Sequence, residues 1–158
     1  MALSADARMG LARFGEPSPG DERAQISAAR QEGRRLWISG QVAMAEGGMV
    51  ASGVAGAESD VDVSRRCAHQ CAVNRLDRIA ETGGLDPDSS VLRLSVYVAS
   101  TPEFRSQHLV ADAATDVIAA VLSGPPHVRT AFGVACLPLG SPVEIDAVVL
   151  LKDGVEMS

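Results

Sequence analysis

Aromatic residues make up only 3% of the 158-residue chain, so a core has to be assembled from Val, Leu, Ile and Ala. Basic residues are also few. Fourteen Lys and Arg stand against 20 Asp and Glu, for a net charge of −6, and binding a phosphate backbone needs clustered cations. No nucleic-acid partner is expected. Arg34-Arg35 and Arg65-Arg66 are the only basic doublets and read as solvated. No run approaches the ~20 apolar residues that cross a bilayer, and no basic segment followed by an apolar one opens the chain. Neither a membrane nor a secretory route is expected. Three cysteines suggest a reducing compartment, and a cytoplasmic location is the expectation. Gly47-Gly48 and the glycines of 53–56 fit no phosphate-loop template. Cys67, His69 and Cys71 resemble a metal cluster on paper, but on a helix His69 lies about 200° from Cys67. Two cysteines alone make no structural zinc site. No metal and no cofactor are expected, and the two thiols are expected to be buried.

What is present is apolar and periodic. A hydrophobic share of 46% suffices for one ordinary domain. Residues 1–33 are rich in Ala, Gly, Pro and charge and break at Glu16-Pro-Ser-Pro-Gly20. An N-terminal arm is expected there, with a short helix within 4–13, and one domain over 34–158. Leu36–Ser39 reads as a first strand, and Gly47-Gly48 as a turn into a second over Met49–Ser52. From Val63 to Thr82 the spacing of Ala68, Cys71 or Ala72, Leu76 and Ile79 predicts a helix, with Asp62 or Ser64 as N-cap and Gly83-Gly84 as its stop. Val91–Ala99 reads as a buried strand. A second helix follows Thr101-Pro-Glu, its face built by Leu109, Val110, Ala113, Ala114, Val117, Ile118, Val121 and Leu122.

The last stretch is the most specific. Two β-rich runs, His127–Leu137 and Val143–Leu151, flank a Pro-Leu-Gly-Ser-Pro connection and predict a hairpin. Each carries a charge that an apolar strand does not select: Arg129 in the first and Glu144 in the second. The resulting order is β-β-α-β-α-β-β, an α+β domain with both helices on one face of a sheet. Strands apolar on both sides require the helix-free face to be covered too, most simply by another copy.

The run His127-Val-Arg129-Thr-Ala-Phe-Gly133-Val-Ala-Cys-Leu137-Pro138 followed by Val143-Glu144-Ile145-Asp-Ala147 resembles the C-terminal signature of the Rid (YjgF-like) family of imine and enamine deaminases. Ile38-Ser39-Gly40-Gln41, Asn74 with Gly83, and Val96-Tyr97-Val98 running into Phe104 match the family upstream, in order. Gly84-Leu85-Asp86 and Val110–Asp116 are similar to a divergent branch whose members mostly lack an assigned reaction. The resemblance implies a chorismate-mutase-like fold, a homotrimer around a barrel-like core, and clefts between neighbouring subunits.

It also implies roles. Arg129, a planar fork of donors, would hold the carboxylate of a small imino or enamino acid. Glu144 would position the water that attacks the imine carbon, releasing ammonia. Ser39, Phe104, His108, Thr130 and Ala131 would complete the substrate contacts. Two departures stand out: the family's tyrosine before the first strand falls near Gln25, and its asparagine four residues after the phenylalanine is His108. These put 2-aminoacrylate as the substrate in question. By residue type alone, Arg129 could equally form an ordinary salt bridge, even to Glu144, Ser39 a turn, and Phe104 the core. His127 shares a strand face with Arg129 and could tune it. A non-catalytic small-acid-binding or assembly protein, or a biosynthetic enzyme using the same cleft differently, are the other readings.

Overall fold

The computed structural model describes residues 26–82 and 84–154, so the expected helix within 4–13, Gln25 and Gly83 lie outside it. Five strands form the main sheet in the order β1-β2-β7-β5-β6: β1 Ala29–Glu32, β2 Arg35–Val42, β5 Ser90–Ala99, β6 Val128–Val134 and β7 Val143–Leu150. All neighbours are antiparallel except β5 and β6, which run parallel through a helical crossover. Two helices, α1 Val61–Glu81 and α2 Gln107–Val121, pack side by side on one face. The α+β architecture and the two-helix layer are those expected.

Several details differ. The last residues of the expected arm supply β1, hydrogen-bonded to β2 from Ala29↔Ile38 to Glu32↔Arg35. The expected second strand over Met49–Ser52 shrinks to β4, Gly48–Met49, which pairs only with β3, Met44–Ala45. Gly47 and Gly48, with φ of 92° and 136°, make that turn tight. The chain then leaves, and Gly53 N–H donates instead to Gly140 O at 3.0 Å.

The hairpin does not form. β6 pairs with one edge of β5 and β7 with the other, so the two runs flank the most buried strand rather than each other. Residues 135–142 span the end of β5 through a 3-10 turn at Pro138–Gly140, with Leu139 and Gly140 at φ of 58° and 69°. Such a crossing spans two strand spacings, roughly 10 Å, which a tight turn cannot. Ala99 N–H, at the end of β5, donates to Pro142 O at 2.9 Å and fixes the crossing.

α1 begins earlier than its spacing suggested. Asp60, rather than Asp62 or Ser64, is the N-cap and accepts from Val63 N–H at 2.7 Å. Ser64 is buried instead, its hydroxyl donating to Asp60 O at 2.9 Å and lying 3.2 Å from Ser59 Oγ. Ala68, Cys71, Ala72, Leu76 and Ile79 all face the core, and Cys67 and Cys71 are buried thiols. On α2, Val110, Ala113, Ala114 and Ile118 are buried, whereas Leu109 and Val121 fall outside the buried face. β7 alternates buried and half-buried residues along its length, with Glu144, Asp146, Val148 and Leu150 toward the helix-free side. Trp37 is 50% exposed on that side, and Phe132 stacks on Tyr97 there at 5.4 Å between rings.

Candidate functional site

A bulge in β2 builds the first half of the site. Ile38 pairs with Ala147 but Gln41 with Ile145, so one extra residue of β2 is accommodated at Ser39-Gly40. Glu144 lies over this bulge. A Cβ at position 40 would fall 1.7 Å from Glu144 Oε1 and 2.7 Å from its Cδ, so the close approach requires glycine. Ser39 is exposed beside it, its hydroxyl donating to Ala28 O at 3.2 Å. Two more polar groups share this face: Tyr97 O–H donates to Asp146 Oδ2 at 2.9 Å, and burial followed by that carboxylate raises the Tyr97 pKa.

Behind the bulge sits Arg75, 2% exposed, on the apolar stripe of α1. Its Nη1 donates to the Ser39 carbonyl, while Nε and Nη2 meet no partner among the described residues. Burial depresses its pKa to about 10. One turn earlier, Cys71 Sγ lies 3.5 Å from Val143 O, and burial raises its thiol pKa, keeping it neutral. A charge on an apolar helical stripe was a visible signal in the sequence, and it marks the residue that fixes the bulge.

Arg129 belongs to a second constellation. It pairs in register with Leu94, whereas Glu144 pairs with Tyr97, so the two lie on opposite faces of the sheet with their backbones about 14 Å apart. The expected alternative of an Arg129–Glu144 salt bridge is excluded. Arg129 Nη1 instead meets Asp112 Oδ1 at 2.8 Å and donates to Thr115 Oγ1 at 2.9 Å, both on α2. Thr115 Oγ1 also lies 3.2 Å from His127 Nε2, so His127 does share the face of Arg129. Desolvation, then Arg129, lowers the His127 pKa and holds the ring neutral. The Nε–Nη2 edge of Arg129 meets no acceptor among the described residues. That edge is the side-on fork that receives a carboxylate with two parallel bonds.

The remaining candidates are dispersed. Phe104 is core, 9% exposed and packed against Gly56. His108 is exposed on the first turn of α2, one turn before Asp112. Thr130 faces the helix-free side opposite Ser95, and Ala131 packs beneath α2 against the core. One protomer therefore unites Ser39 with Glu144, and Arg129 with Asp112, Thr115 and His127. It does not unite the two groups. Asp112 and Thr115, spaced i and i+3, lie in the Val110–Asp116 motif, but their place beside Arg129 was not legible because nothing in a single helix names its partner strand.

Comparison with known proteins supplies a frame. The family described as Endoribonuclease L-PSP matches residues 20–151. Protein TCP17 of Trypanosoma cruzi is 37% identical over 124 residues, which cover 77% of this chain and 78% of that protein. Among solved structures, protein Atu1372 of Agrobacterium tumefaciens, of unknown function, superposes with a TM-score of 0.75 at 37% identity over 92% of each chain. RidA from the Antarctic bacterium Psychrobacter sp. superposes with a TM-score of 0.58 at 25% identity, over 82% of this chain and 91% of that one.

Proposed function

The chain belongs to the Endoribonuclease L-PSP family, which takes in the Rid (YjgF-like) proteins, and from that premise we propose that it is a deaminase-like hydrolase of small 2-imino acids. The observation that carries this reading is the carboxylate of Glu144 laid against Gly40 beside Ser39. There it can take a proton from a water as the water oxygen bonds to the imine carbon, giving a tetrahedral carbinolamine. Proton delivery to nitrogen then lets the C–N bond break, so a 2-oxo acid and ammonia leave. An enamine enters the same sequence after tautomerising to its imine. Arg129 holds the substrate carboxylate on its Nε–Nη2 fork.

Because Arg129 and Glu144 lie on opposite faces and three residues apart along β5, a complete site takes them from two copies of the chain. A homotrimer supplies this arrangement with one cleft per interface and covers Trp37 and Phe132. Net charge of −6 disfavours RNA as the substrate despite the family's descriptive name. A non-catalytic acid-binding protein is the second reading, favoured by the ion pair that already occupies Arg129.

The test is ammonia release from freshly generated imines by wild type, Arg129→Lys and Glu144→Gln. Both variants should keep the fold and lose turnover, Glu144→Gln by roughly 10²–10⁴-fold. Co-refolding the two variants in equal amounts should restore about one quarter of the sites if each cleft draws on two chains. Wild-type turnover in both single variants would refute the assignment.

A further inference from the structure

Between the C-terminal half of α2 and the starts of β5 and β6 lies a cavity of about 660 Å³. The Ser39–Glu144 cluster does not account for it. Val91, Ile118, Leu122 and Pro125 give it apolar walls, and Arg129 with His127 stands at its polar end. Among the described residues no Asp or Glu lines it. The volume lies within the range that receives whole small molecules, about 300–1,000 Å³. A three-carbon acid would leave most of it empty.

We infer that this cavity receives the substrate's side chain, making the preferred substrate a 2-imino monocarboxylic acid with a branched aliphatic or aromatic tail; the inference rests on the reading of Arg129 as the carboxylate anchor. Arg129 offers one free fork, so one carboxylate is satisfied. A second carboxylate in the tail would be desolvated against Ile118 and Leu122 without a partner. Dicarboxylic substrates are therefore disfavoured. His127, neutral and hydrogen-bonded through Thr115, forms the collar between head and tail rather than a second cationic anchor.

The test uses imines generated in situ from leucine, phenylalanine and alanine by an amino-acid oxidase, with wild type and Ala119→Phe. Ala119 is an exposed helical residue that lines the cavity, so the larger ring fills the space without disturbing the core. Wild type should favour the leucine and phenylalanine imines over the alanine imine by roughly 10-fold or more in kcat/KM, and Ala119→Phe should collapse that ratio by a similar factor. Ser123→Phe, on the loop at the cavity mouth, gives the same reading should Ala119→Phe misfold. Calorimetric titration of 4-methylpentanoate against propanoate reads the cavity without turnover. Hydrolysis of all three imines with no preference for large tails would overturn the inference and leave the deaminase reading standing. No hydrolysis, with 4-methylpentanoate binding that Ala119→Phe weakens, would overturn the deaminase reading and keep the cavity as an acid-binding site. Absence of both hydrolysis and binding would remove both.

Discussion

Gly40→Ala is the sharpest perturbation of the proposed water site. The new Cβ would sit 1.7 Å from Glu144 Oε1, 2.7 Å from Cδ and 3.2 Å from Cγ, so the carboxylate has to swing away from the bulge. What moves is the far end of a half-buried side chain, not backbone. The folding cost is then that of one re-seated rotamer, about 1 kcal/mol. In a domain of this size that is about 2–4 °C in Tm. Catalysis depends on where the carboxylate lies, and pushing it off the bulge takes the proton acceptor out of place, a loss on the order of 10²–10⁴-fold. Thermal melting and imine hydrolysis on the same preparation separate the two effects. Gly40→Ala should resemble Glu144→Gln in turnover while melting close to wild type. Wild-type turnover in Gly40→Ala, or loss of cooperative unfolding, would refute the reading that Gly40 exists to seat Glu144.

Arg75→Met removes a desolvated charge whose Nε and Nη2 are unpartnered, so denaturation should show stability kept or raised, whereas Arg75→Ala leaves a cavity costing about 2–5 kcal/mol. A collapsed Met variant would mean that the bond to Ser39 outweighs burial of the charge. The folded-state pKa of His127 is depressed below its ordinary 6.5 by burial and Arg129. Its neutral form therefore stabilises the fold above pH 6.5, and that contribution is lost as pH falls through the lowered value. Urea midpoints measured at neutral and mildly acidic pH should converge in His127→Phe relative to wild type; an unchanged difference would exclude His127 as the source. Trp37→Glu combined with Phe132→Glu should shift the light-scattering mass from that of the proposed trimer to one 16.4 kDa chain, and a trimer that survives would place the interface elsewhere.

Elements whose signal is local were legible in the sequence. The stripe of Ala68, Cys71, Leu76 and Ile79 marked α1, and the β-branched run at Val91–Ala99 marked β5. Cap choice was not, because Asp60, Asp62 and Ser64 all have cap chemistry and only tertiary burial of Ser64 decides between them. Strand partners were illegible for a deeper reason. Alternation along His127–Leu137 and Val143–Leu151 says which side is buried, but not which neighbour a strand takes. The hairpin expectation failed on that point, since β5 had the stronger claim on both edges. The motif named Glu144 and Ser39-Gly40, which adjoin in the fold, yet it could not say that Arg129 faces the other way.

The placement of Asp112 changes what Arg129 can contribute. A carboxylate arriving on the Nε–Nη2 fork makes two charge-assisted bonds, about 1.5–3 kcal/mol each at best. It also meets the charge of Asp112, 2.8 Å from Nη1 on the other edge. At an effective dielectric near 20 and a separation of about 6–7 Å, that repulsion is about 2.5 kcal/mol, which takes back most of one bond. Since Asp112 and Arg129 are partly exposed, solvent weakens attraction and repulsion alike. Three methylenes buried against Ile118 and Leu122 contribute about 2.4 kcal/mol, comparable to what the head retains. On the proposed reading, a bare three-carbon imino acid would bind through a half-neutralised arginine alone, while a branched or aromatic acid would roughly double its hold. Ile118, Leu122 and Pro125, rather than Arg129, are then, on that same reading, the residues that set which acid the cavity selects.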